Sequence, residues 1–217
     1  MAGVFVTGTG TEVGKTVVAG AIARTAAEKG QRVRVFKPAV SGLDEVDAAG
    51  PDHEFLRRAA GSEQSDDEIA PYRYGPAVSP HLAAALIGGP IDPKRLRDGV
   101  AAAAQGADLL VVEGVGGLLV PLRADYLVRD FAVDLGLPVV VVASPGLGTI
   151  NHTLLTIESV RAAGLDPALV VLNPWPAEPT HLEESNRETI ASLGNVRVAT
   201  LPLLDLDDPG AWPALEL

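Results

Sequence analysis

Residues 8–16 read Gly-Thr-Gly-Thr-Glu-Val-Gly-Lys-Thr, set between a β-branched run at 4–7 and an alanine-rich stretch at 15–29. A glycine–lysine turn that leaves a strand and opens a helix is a phosphate cradle, because unpaired N–H groups and the positive end of the helix dipole face an anion there. Lys15 adds a mobile point charge for the outer phosphates, and the Thr16 hydroxyl is placed to ligate magnesium. The usual spacing puts four residues between the first glycine and the Gly-Lys pair, whereas Gly8 and Gly14 enclose five. Any fold for this chain must therefore begin with a strand–loop–helix unit.

The rest of the chain repeats that rhythm. Strands are expected at 4–7, 32–36, 109–112, 138–142, 168–172 and 196–200. Several are apolar at consecutive positions, as parallel strands covered on both faces are. Helices are expected at 15–29, closed by Gly30; after Ser79-Pro80 and after Asp92-Pro93, each with a capping side chain before the proline; at 151–163, closed by Gly164; and at 182–193, closed by Gly194. The fold class expected is α/β: a doubly wound, mainly parallel sheet of the P-loop NTPase type with helices on both faces. Residues 38–79, rich in Asp, Glu, Gly and Pro with one short helix around 53–60, read as an active-site insertion in a single domain spanning 1–217.

Composition narrows the partners. Of 217 residues, 17 are basic and 28 acidic, a formal charge of −11. That balance argues against a nucleic-acid or anionic-membrane binder, which needs a basic face. The absence of cysteine excludes disulfides, Cys-ligated zinc, iron–sulfur clusters and thiol nucleophiles. No basic leader precedes the first strand, and the longest apolar run, 137–143, is far short of the roughly 18–20 residues of a spanning helix. A soluble cytoplasmic protein is expected.

Two further segments carry chemistry. Glu113 ends an apolar run and is followed by Gly114, Val115, Gly116 and Gly117. An acid at the carboxyl end of a strand lies where open α/β sheets gather ligands, and it can complete a magnesium shell opposite Thr16. Lys37 stands at the end of the second strand, beside Pro38 and ahead of Ser41-Gly42, where it can stabilise transferring phosphoryl charge. Asp52 is a candidate metal ligand from the insertion, with Asp44, Asp47 and Glu54 competing for the role. The four histidines, at 53, 81, 152 and 181, show no metal-ligand spacing, and no Gly-x-Ser-x-Gly elbow is present.

Taken together, the ordered motifs resemble the dethiobiotin synthetase family over nearly the whole chain. They are Thr7 to Thr16, Lys37-Pro38 with Ser41-Gly42, Ser79-Pro80-His81, Val112-Glu113-Gly114-Val115-Gly116-Gly117 and Leu147-Gly148-Thr149-Ile150-Asn151-His152. The five-residue gap in the phosphate loop is this family's spacing. The resemblance implies an ATP-dependent carboxylation and ring closure of 7,8-diaminononanoate with CO2 or bicarbonate, through a carbamate and a carbamic-phosphoric anhydride. It implies Lys15 and Lys37 as the catalytic cations and Mg2+ held by Thr16, Asp52 and Glu113. It implies nucleotide contacts from Glu12, Val13, Gly14, Lys15, Thr16, Asp52, Glu113, Gly114, Val115, Gly116, Asn173, Pro202, Leu203 and Leu204. Thr11 and Ser41 would lie against the diamine. Gly148, Thr149, Ile150 and Asn151 would receive its carboxylate at a helix start, from the other subunit of a homodimer.

One segment departs from the family pattern. Where many members read Asn-Asp, this chain reads Asn173-Pro174-Trp175, and Pro174 supplies no side-chain acceptor, so another nucleoside triphosphate could replace ATP. A different class, the regulatory or partitioning P-loop ATPases, typically carries a second lysine early in the loop, where this chain has Thr9, Gly10 and Thr11. A glutamine-dependent amidoligase needs a cysteine-bearing glutaminase domain, for which there is neither cysteine nor room.

Overall fold

The computed structural model describes residues 2–45 and 50–217. Six strands form one parallel sheet: β1 (Ala2–Gly8), β2 (Val33–Phe36), β3 (Leu109–Gly117), β6 (Val139–Ala143), β7 (Pro167–Trp175) and β8 (Val198–Pro202), in the order β2-β3-β1-β6-β7-β8. A two-stranded antiparallel ribbon, β4 (Pro121–Arg123) with β5 (Tyr126–Leu127), stands apart from it. The helices are α1 (Lys15–Glu28), α2 (Asp52–Ala60), α3 (Asp66–Ile69), α4 (Pro80–Ile87), α5 (Pro93–Ala103), α6 (Val128–Leu135), α7 (Thr149–Ala162) and α8 (His181–Gly194).

The consecutive apolar residues that suggested buried parallel strands divide between two cores. Val4, Val6, Val111, Val140, Val142, Leu169 and Val171 face one cluster, which α1 and α2 cover. Phe5, Leu110, Val112, Val139, Val141, Val170 and Leu172 face the other, with α4 to α8. Alternate side chains of a strand point to opposite faces, so a strand with helices on both sides must be apolar at every position. Each such side chain contributes about 1.5–3 kcal/mol when fully buried. Phe131 of α6 shows how tight the second cluster is: its ring meets Phe5 edge-on at 6.0 Å and Phe36 at 6.2 Å.

Several boundaries differ from the sequence expectation. The third strand continues past 112 to Gly117, so Glu113 and its glycines lie within the sheet's upper edge. The helix expected from 151 begins at Thr149, after Gly148 at φ 90°. Asp92 caps α5 as expected, accepting from Lys94 N at 2.9 Å, but Ser79 does not cap α4; its hydroxyl lies 3.0 Å from His81 Nδ1 instead. Gly194 is the last residue of α8 and Asn195, at φ 43°, takes the left-handed position. Helix α6, the β4–β5 ribbon and α3 were absent from the sequence reading. Val128, Phe131, Ala132 and Leu135, followed by Gly136, carry the helical spacing that signals α6.

Candidate active site

All six strands are parallel, so their carboxyl ends share one edge. Those of β1, β2 and β3 deliver the phosphate loop, Lys37 and Glu113 to it. A cleft of about 480 Å³ opens there, lined by Thr11, Glu12, Gly14, Lys15, Thr16, Lys37, Ser41, Asp52, Glu113, Val115 and Gly116 together with Val17, Ala39, Gly50, Phe55 and Leu206. Glu12 adopts φ 61°, a left-handed backbone that a non-glycine residue takes at a steric cost. Gly14 takes φ 83° at the start of α1. It has a second constraint: a Cβ there would lie 2.0 Å from Asn173 Nδ2.

Four charged groups meet in the cleft. Lys37 Nζ lies 2.5 Å from Glu113 Oε1 and 2.7 Å from Asp52 Oδ2, with Lys37 and Glu113 fully buried. Thr16 Oγ1 donates to the same Glu113 Oε1 at 3.0 Å. Lys15 Nζ donates to Gly10 O within the loop at 2.8 Å. Burial alone would lower the Lys37 ammonium, but the Asp52 and Glu113 carboxylates outweigh it and raise its pKa. The Lys37 cation holds Asp52 below the ordinary carboxylate range, against the pull of burial. Burial pushes Glu113 upward despite the same cation, and it lowers Lys15 despite Glu113. Lys37 thus bridges both carboxylates, and burial works against the charge on Glu113.

The donor set fits a hard divalent cation. Glu113 Oε2 is buried and without a hydrogen-bond partner among the described residues, an arrangement that costs free energy unless something meets it. The Thr16 hydroxyl and the Asp52 carboxylate stand beside it, and an all-oxygen set of this kind suits Mg2+. Of the competing insertion carboxylates, Asp44 packs its carboxylate on Gly75, while Glu54 groups with His53 and Asp66. Asp47 lies outside the described residues.

The remaining expected positions do not line this cleft. Gly114 is inside β3 and does not line the cleft; a Cβ there would meet Val128 Cγ1 at 3.0 Å. Asn173 is buried and donates from Nδ2 to Val13 O at 3.3 Å, bracing the phosphate loop. Pro202 and Leu203 are exposed beyond the end of the cleft, and Leu204 packs partly into the α1-side core. Thr149 lines a separate cavity of about 290 Å³ with residues of the phosphate loop, among them Thr9 and Thr11. Gly148 and Asn151 are exposed at the same helix start, with Ile150 half-buried between them. Sequence reasoning missed Phe55 and Leu206, two apolar walls of the cleft. Leu206 had a visible signal, an apolar residue spaced through the acidic run Asp205 to Asp208.

A phosphate loop at the first strand, an acid in the carboxyl half of its neighbour and six parallel strands define a nucleotide-binding protein of the P-loop class. Solved structures share this fold: the MinC:MinD cell division protein complex of Aquifex aeolicus, TM-score 0.59 at 15% identity over 93% of this chain and 81% of that one. The signal recognition particle receptor FtsY of Elizabethkingia anophelis matches with TM-score 0.53 at 17% identity, covering 95% of this chain and 60% of that one. A family model described as an AAA domain matches residues 2–208. The chain is 42% identical to the ATP-dependent dethiobiotin synthetase BioD of Rhodococcus erythropolis, over 95% of this chain and 88% of that protein. It is 39% identical to the protein of the same name from Acidiphilium cryptum, over 97% and 95%. The chain belongs to the dethiobiotin synthetase family. Its likeness to the cell-division and targeting proteins is one of fold, and the partitioning ATPase reading is not favoured.

Proposed function

We propose that this protein is a C–N bond-forming ligase that carboxylates 7,8-diaminononanoate with CO2 and closes the cyclic urea of dethiobiotin, converting ATP to ADP and phosphate. The observation that carries the reading is the Lys37–Asp52–Glu113–Thr16 cluster, with Lys37 and Glu113 buried, beside a phosphate loop. One amine takes CO2 to form a carbamate, whose oxygen attacks the γ-phosphorus of ATP and releases ADP. The second amine then attacks the carbonyl of that anhydride and expels phosphate. Negative charge accumulates on the transferring group throughout, so positioning and fixed positive charge are the protein's main contribution.

Lys37 supplies such a charge from a fixed position, because two carboxylates hold its proton on. Lys15, resting on Gly10 O, supplies a second, mobile one. Thr16, Asp52 and Glu113 would hold Mg2+, which when bound neutralises charge on the β- and γ-phosphate oxygens. The loop backbone at 12–16, with Val115 and Gly116 opposite, receives the phosphates. Thr11 and Ser41, both lining the cleft, lie against the diamine. The nucleoside end is bounded by Asn173 and the segment Pro202, Leu203 and Leu204. The start of α7, Gly148 to Asn151, takes the substrate carboxylate of the other subunit in a homodimer. In support of that assembly, Leu119, Leu147 and Leu155 are 56%, 91% and 56% exposed around the neighbouring cavities. The whole chain acts as one domain, with 38–79 as its active-site insertion, in the cytoplasm; no helix among the described residues is long and apolar enough to cross a membrane.

The test is phosphate release from ATP. It should require both the diamine and bicarbonate, and hydrolysis indifferent to the diamine would sink the synthetase reading. Replacing ATP by CTP or GTP in the same assay measures base selectivity at the Asn173-Pro174 departure.

A further inference from the structure

The C-terminal segment ties together two walls of the cleft that no motif connects. Asp52 opens α2, and Phe55, one turn later on the same helix face, lines the cleft. Phe55 fits against α1 so closely that a Cβ on Gly20 would meet its Cε1 at 2.5 Å. Its other side stacks on Trp212, with ring centroids 5.6 Å apart and planes 21° from parallel. The indole is buried, and its Nε1 donates to Asp205 O at 2.6 Å. Asp205 directly precedes Leu206, the cleft wall contributed by the tail. The tail is anchored beyond the tryptophan by buried Leu215, whose N–H donates to Thr25 Oγ1 of α1 at 2.9 Å.

We propose that Trp212 is a positioning residue for the nucleotide: its ring backs Phe55 and so holds the start of α2 with Asp52, and its indole N–H holds Leu206 against the cleft. The proposal rests on the nucleotide reading of this cleft. Stacked aromatic pairs contribute beyond their buried area, and a rigid backing wall lowers the ordering cost of binding. Trp212 itself touches no part of the reacting groups, so its effect must pass through Phe55 and Leu206.

The experiment measures Mg-ADP affinity by calorimetry, together with the KM values for ATP and diamine, on the full chain well below its melting temperature. Trp212→Ala should weaken ADP and raise the KM for ATP about tenfold, with the diamine KM within about twofold of wild type. Trp212→Phe keeps the stack and loses the indole donor, and should leave ADP about threefold weaker than in wild type, short of the loss in Trp212→Ala. Leu215→Ala loosens the same tail without altering the ring stack or the indole donor, and should lower the melting temperature while leaving ADP affinity unchanged. A wild-type protein that binds no ADP overturns the nucleotide reading itself. A wild type that binds, with Trp212→Ala and Trp212→Phe binding equally well, overturns the positioning role alone. Equal weakening by Leu215→Ala would also overturn it, since any loosening of the tail would then suffice. If Trp212→Ala does not fold, Trp212→Phe decides: unchanged ADP affinity overturns the indole contact with Asp205.

Discussion

The two sides of the phosphate loop are built on opposite principles. On the α1 side, charges pair within the chain and leave one oxygen open: Lys37 pairs with Asp52 and Glu113, Thr16 donates to Glu113 Oε1, Lys15 folds onto Gly10 O, and Glu113 Oε2 has no partner among the described residues. On the α7 side, a cavity of about 540 Å³ is walled by Gly117 to Pro121, His152 and Leu155, with leucines left in solvent. Thr11 borders both. Low-dielectric charge needs a complete set of partners within one chain, or it becomes costly. Apolar surface carries no such demand and can wait for a second molecule. The charged half therefore lacks only a cation at Glu113 Oε2, whereas the apolar half fits the proposed homodimer.

Removing the cation of the charged side should have the largest effect. Lys37→Ala should lower turnover by about 10²–10³-fold, as loss of one transition-state charge donor does, while ADP binding falls far less. An equal loss of binding would mean that Lys37 serves the ground state and not the transferring phosphoryl group. The apolar side is broken next. Leu119→Asp with Leu155→Asp should convert the proposed dimer to monomer by light scattering and raise the KM for the diamine, with ADP affinity kept. A dimer that survives both charges would remove the apolar half from the interface.

The smallest effect is one of pH. Asp52 is held below the ordinary carboxylate range, so its contribution to stability is present above its unfolded value and lost as pH falls through its folded one. Lys37, held above the ordinary lysine value, contributes at all lower pH and loses that contribution as pH rises through its folded value. Glu113, pushed up by burial, works the other way and costs stability once it must ionise. The gap in melting temperature between wild type and Asp52→Asn should therefore narrow as the solution is acidified below the carboxylate range. The Leu119→Asp/Leu155→Asp variant should keep the wild-type acid slope, because it leaves the ion pair intact. An Asp52→Asn gap that is constant with pH would mean that the pair adds nothing to folding.

Much of this was legible in the residues. Strand–helix alternation, the loop at 8–16 and the acid at 113 are local patterns, and local patterns survive without tertiary context. What was hidden depends on direction. Asp44, Glu54 and Asp52 are equivalent in spacing, but the path of α2 aims Asp52 at Lys37 and leaves Glu54 beside His53 and Asp66. Asn173 was expected among the nucleotide contacts, and nothing in its spacing pointed to the role the fold gives its amide, bracing Val13 O beside Gly14. The Phe55–Trp212 stack joins residues far apart in the chain, and nothing in the periodicity of either segment points to the other.

The sequence alone determined that a parallel sheet would carry a phosphate loop, and that Lys37 would stand at a strand tip with Glu113 toward the carboxyl half of its neighbour. Hydrophobic period and glycine placement are properties of a few neighbouring residues, so they can be read in one dimension. Only the tertiary structure decided which carboxylate completes the cluster and that a C-terminal tryptophan backs the cleft. It also decided that the two sides of one loop differ in kind, one saturated with charge and one open and apolar. Those outcomes depend on how strands are ordered and helices laid over them, and burial acts on that arrangement whatever the distance along the chain.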